Sequence, residues 1–180
     1  MVGTGYSLDR VGDSRAARVR LALLGVWIGA MLAFGGLFVP AAFSHLPTQL
    51  AASVLGEGFG ALDRGGIALG LICVALGWFD ARRGGPSRNA DRLRALLPLA
   101  GAFAHATSAL AITPQIHALR VAAGGAIGQS GADELAQFAW LHSTSRALFA
   151  LATASALLAC VWDLFALQAR ASRDTEGSDF

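Results

Sequence analysis

Four stretches of this chain, about 21–43, 58–79, 93–119 and 138–167, are apolar almost without interruption, and shorter polar stretches separate them. Each is long enough for a helix to cross a bilayer core, which takes about 20 apolar residues. The pattern predicts an all-α, polytopic membrane protein built as a four-transmembrane-helix bundle. Residues 1–20 read as a polar tail, 21–168 as the membrane domain and 169–180 as a second polar tail. The stretch 48–57 reads as an interfacial lead-in to the second helix, and Pro40 is expected to kink or end the first.

Composition agrees. The chain is 54% hydrophobic and only 14% charged, with mean hydropathy +0.53. A soluble domain of 180 residues has no interior large enough for that surplus. Soluble enzyme, nucleic-acid binder and secreted disulfide scaffold are all disfavoured. The first apolar run is too long for a signal-peptide core, no A-x-A-like site closes it, and Val2 stands where myristoylation needs Gly. Cys73 and Cys160 lie inside apolar runs without CxxC or Cys/His spacing, so neither a disulfide framework nor a zinc site is implied.

All 14 basic residues are Arg. Together with abundant Ala and Gly this suggests a GC-rich bacterial genome, and hence the cell inner membrane. The arginines form no stripe interleaved with aromatics, so no nucleic-acid partner is implied. Arg10, Arg15, Arg18 and Arg20 precede the first helix; Arg82, Arg83, Arg88, Arg92 and Arg94 flank the middle loop; Arg170 and Arg173 follow the last helix. The positive-inside rule places those three regions in the cytoplasm, giving an N-in/C-in topology. Gly25-Val-Trp-Ile-Gly29 and Gly66-Ile-Ala-Leu-Gly70 are GxxxG patterns. They suit close helix approach, either within one chain or between copies of a homo-oligomer.

Ionisable residues at membrane depth are costly and default to a functional hypothesis. On the fourth helix His142, Arg146, Phe149, Thr153, Ala156, Cys160 and Asp163 fall near one line, a stripe expected to face the bundle. His142, Arg146, Asp63, His117, Thr113 and Pro114 converge on the outer half by this reading and are the candidate ligand-pocket residues. Pro114 adds to it by depriving the carbonyl of Leu110 of its usual partner. Asp63 beside Arg146, or beside Arg64, is the alternative, a structural ion pair. His45 and Arg120 read as interfacial anchors. His105, near mid-membrane, reads as a packing histidine before a ligand; with His142 it is the candidate for a metal or bis-His haem. No Walker motif, HExxH or nucleophile elbow is present, so no catalytic residue is assigned and no enzymatic reaction is implied.

Trp27-Ile-Gly29 followed by Pro40 and Phe43, then Thr113-Pro114, then Phe138-x-x-Leu141-His142-x-x-Ser145, resembles the transmembrane protein 205-like family. The resemblance covers about residues 20–168 and implies a small four-helix membrane protein, in a family largely of unknown function. Members carry an Asn where Phe149 stands here, and Arg146 supplies polarity one turn earlier. By fold analogy the family is similar to small bundles linked with copper handling and haem biosynthesis.

The leading functional expectation is an integral membrane protein with an outer-leaflet polar pocket suited to transport, export or metal or solute handling. The alternative is a haem- or copper-binding membrane redox protein. The second alternative is a structural or assembly partner of another membrane protein.

Overall fold

The computed structural model describes residues 6–83, 88–125 and 127–176. The expectations for residues 1–5, for the turn-rich stretch 84–87 and for 177–180 lie outside the described residues. The elements are α1 (Tyr6–Ala33), a π-helical turn (Phe34–Phe38), α2 (Val39–His45), α3 (Thr48–Arg83), α4 (Arg88–Thr107), a second π turn (Ser108–Ile112), α5 (Thr113–Ala122), a 3-10 turn (Ile127–Gln129) and α6 (Ala132–Glu176). They form four rods long and apolar enough to cross a membrane, Arg15–His45, Thr48–Arg82, Arg94–Ala122 and Ala132–Ala169. The protein is all-helical, with the four spans that the apolar pattern predicts.

The rods outrun the apolar runs at most ends. The first begins at Tyr6, the second takes in the expected interfacial lead-in from Thr48, and the fourth reaches Glu176. Apolar patterning marks the part of a helix that belongs in lipid, whereas backbone hydrogen bonding continues into the polar flanks. Neither Pro40 nor Pro114 ends its rod. Pro40 and Pro114 each follow a π turn, and the bonding shifts there to Val39 N–H on Phe34 O and Thr113 N–H on Ser108 O. A π turn takes up the register that a proline disturbs. The side chains of Ser44 and Gln115 add bonds to the carbonyls of Pro40 (2.7 Å) and Ala111 (2.6 Å). α5 ends on Gly124 and Gly125 at φ 58° and 84°, left-handed backbone that a Cβ would strain. Glu134 starts α6 by reaching back to the N–H of Gly131.

The rods close into a ring in which α1 packs on α3 and α6, and α4 packs on α3 and α6. The centre is filled from α1, by Leu24, Trp27 and Met31, against Cys73, Ala104, Ala152, Ala156 and Ala159. One large ring is admitted because its neighbours are small. A Cβ on Gly101 would stand 2.7 Å from the Trp27 indole, and one on Gly70 3.2 Å from it. Large apolar side chains such as Val26, Leu37, Phe103, Leu110, Trp140 and Phe165 point outward. That surface matches hydrocarbon, and it would be an aggregation liability in water.

Candidate functional site

Buried polarity lies in two layers, and the face of α3 that carries Asp63, Gly66, Gly70, Cys73, Gly77 and Asp80 connects them. Every one of these residues is three or four positions from the next, so they share one side of the helix.

The first layer is a chain of three side chains from three helices. Asp63 of α3 meets His105 of α4, with Oδ1 and Nδ1 2.8 Å apart. The indole Nε1 of Trp27 in α1 donates to His105 Nε2 at 3.2 Å. An indole N–H only donates, so Nε2 accepts; the ring proton is then on Nδ1, which donates to the Asp63 carboxyl. His105 is 1% exposed. Its ring lies so close to Gly66 that a Cβ there would overlap it. Asp63 is 5% exposed, and its Oδ2 has no hydrogen-bond partner among the described residues.

The second layer gathers charge. Asp163 of α6 takes Arg94 of α4 on Oδ1, and Nε of Arg20 in α1 lies 3.4 Å from its Oδ2. Arg20 Nη2 also donates to the Arg94 carbonyl at 3.0 Å. Asp80, itself buried, lies close enough to Arg20 to interact with it electrostatically. All four rods meet here. Breaking such a pair by removing one partner typically costs about 3–5 kcal/mol, because the other charge stays buried.

The end of the bundle where α5 turns into α6 is held differently. Arg120 of α5 donates to the carbonyl of Ala52 in α3 at 2.9 Å and lies over the Phe138 ring of α6. Phe138 in turn stacks on His142, 6.0 Å between centroids.

These positions redraw the sequence expectations. Asp63 faces His105, not Arg146; Arg146 is exposed and in no ion pair among the described residues. His142, His117 and Pro114 are exposed and Thr113 is half-buried, so the six candidates are not drawn together into one interior pocket. On α6 the C-terminal part of the expected stripe, with Ala156 and Asp163, is buried. Toward the N-terminal end of α6 the buried seam runs through Ala152 and Leu141 instead of Thr153 and His142. The polar stripe repeats at about 3.5 residues per turn and the seam at about 3.67, so they part by one position over the helix.

Both ring nitrogens of His105 are taken, which leaves no lone pair for a metal or a haem iron. Among the described residues no three His, Cys, Asp or Glu side chains gather as a metal site. The donor set does not fit the haem or copper alternative. Gly66 and Gly70 face α4 and Trp27 within the chain, whereas Gly25 and Gly29 face open space.

Sequence reasoning missed the charged layer. Arg20, Asp80 and Arg94 sit at the edges of apolar runs, where the two arginines read as topology signals and Asp80 carries no reading. The signal that finds them is spacing: Arg20 continues the buried series Leu24, Trp27, Met31, and Arg94 continues Pro98, Ala102, His105.

An open apolar groove of about 490 Å³ lies between the first and second rods, lined by Trp27, Phe34, Phe38, Gly58, Leu62 and Gly66 among others. It reaches the two residues that flank the His105 ring.

Comparison with curated proteins and with solved structures gives no match. A family pattern described as a domain of unknown function, DUF4149, matches residues 22–124. That range takes in most of the first rod and all of the second and third, with Trp27, Asp63 and His105 inside it, and the chain therefore belongs to the DUF4149 family.

Proposed function

We propose that this protein takes part in the transport or export of a small solute, with Asp63 and His105 as its working centre. One observation carries the reading: a carboxyl and an imidazole are hydrogen-bonded to each other inside a bundle of membrane-length helices, with one carboxyl oxygen left without a partner among the described residues. Ionisable groups in such surroundings are expensive and mark substrate, ion or proton pathways more often than scaffolding. The His142 and Arg146 face, exposed toward the outer end, then serves as an approach to the bundle and not as its interior site. The distribution of arginine supports cytoplasmic termini, and the composition supports a bacterial inner membrane. The resemblance to the transmembrane protein 205-like family supports a small four-helix membrane protein and adds no substrate.

The test uses purified protein reconstituted on solid-supported membranes and challenged with a panel of cations, anions and small organic solutes. A solute-evoked charge displacement that is lost in Asp63→Asn is the expected result. Silence toward every class, from protein that is folded and inserted, would remove the transport reading and leave the pair as architecture.

A further inference from the structure

We propose that Asp63 is a proton-binding carboxyl of the bundle interior, and that Trp27 makes it so by holding His105 in its neutral form. The proposal does not depend on transport: a proton-binding carboxyl stands even if no solute is carried.

An ionised carboxylate at this depth needs a counter-charge, and among the described residues the surroundings of Asp63 supply none. From α1 it is Trp27 that faces the pair, and from α4 His105 itself with Ser108 one turn on. The shared core takes Ala152 and Ala156 from α6. On α3 the neighbouring Arg64 is exposed. The buried arginines, Arg20 and Arg94, are engaged with Asp163 in the other layer. Eleven helical positions separate Arg94 from His105, about 16 Å along the axis.

His105 would be the natural counter-ion if it took a second proton. That proton would have to sit on Nε2, where the Trp27 indole N–H already points from 3.2 Å. Two donors would then face each other in a dry site, so the indole disfavours the imidazolium. The remaining way to neutralise the pair is a proton on Oδ2 of Asp63, the oxygen without a partner among the described residues. The step is a simple protonation: carboxylate and proton become carboxylic acid, and the Nδ1–H bond to Oδ1 stays in place. A metal ion in the same position would need several more oxygen ligands, and none gathers there among the described residues.

Trp27 is thus a positioning residue, acting on Asp63 through the imidazole. The test uses the full chain in lipid nanodiscs near neutral pH, with carboxyl-labelled Asp for infrared spectroscopy and nitrogen-labelled His for NMR. His45, His117 and His142, all exposed, are replaced by Gln so that His105 is the only histidine signal. The expected infrared result is a protonated-carboxyl stretch that shifts in heavy water and is lost in Asp63→Asn. The expected NMR result is a neutral ring protonated on Nδ1. Trp27→Phe keeps an aromatic ring and removes the N–H, and should convert the ring to imidazolium and the acid band to carboxylate. An imidazolium signal in the chain that retains Trp27 would overturn the proposal without need of any variant at Trp27 or Asp63. An unchanged spectrum in folded Trp27→Phe would overturn the role of the indole.

Discussion

Two side chains of like charge, Arg20 and Arg94, meet in the interior, where Nη2 of Arg20 donates to the Arg94 carbonyl at 3.0 Å. Their repulsion is offset by Asp163, which lies between them and is 0% exposed. Three rods that are far apart in sequence are joined through one carboxylate.

Asp163→Ala should therefore be among the most damaging single substitutions, at about 3–5 kcal/mol, because two buried arginines lose the carboxylate that both engage. Arg146→Ala, on the same helix but exposed and outside any ion pair among the described residues, should stay within about 0.5 kcal/mol. Thermal unfolding of the two variants in one detergent compares them. Equal stability of both would show that the charged layer contributes nothing to holding the rods together.

The glycines give a second contrast. Gly66→Ala drives a Cβ into the His105 ring and should cost about 1–3 kcal/mol, the usual range for an overpacked core. Gly25→Ala meets nothing within 4 Å and should leave monomer stability unchanged. If Gly25→Ala instead lowers the apparent mass in a cross-linking or light-scattering measurement, the outward GxxxG face is a contact between copies.

A double-mutant cycle separates the two partners considered for Asp63. Coupling of Asp63→Asn with His105→Gln should be about 0.5–3 kcal/mol, as for groups in contact. Coupling with Arg146→Leu should not exceed a few tenths. Rescue of Arg146→Leu by Asp63→Asn would restore the ion pair that the geometry does not show.

Orientation is tested by cysteine labelling from outside sealed cells. Ser130→Cys, in the turn between α5 and α6, should react with an impermeant reagent, and Ser172→Cys, exposed near the end of α6, should not. The reverse pattern would invert the topology and place the charged layer in the outer half.

Much of the architecture was legible before any coordinates. Apolar runs report where a helix meets lipid, so four spans follow from their lengths alone, and Gly66 and Gly70 announce a close approach because nothing else allows one. Boundaries were not legible to the same degree, since polar residues such as Thr48 continue a helix as readily as they start a loop. The site was legible only as a set of suspects. Asp63, His105 and Trp27 are each visible in the chain, but their order is not, since they come from three helices whose rotation about their own axes is set by packing. A single step along α6 moves a side chain by about 100°, enough to turn His142 outward while Leu141 is buried.

Local residue pattern by itself determined the helical class, the number of spans and the residues too polar to face lipid, because the cost of exposing a backbone or a charge to hydrocarbon is paid locally. Only the tertiary structure decided which of those residues meet. Asp63 finds His105 and not Arg146 because the insertion of Trp27 among glycines and alanines fixes how α1, α3 and α4 turn toward each other. That is a property of volumes from four helices at once, and no single stretch of the chain contains it.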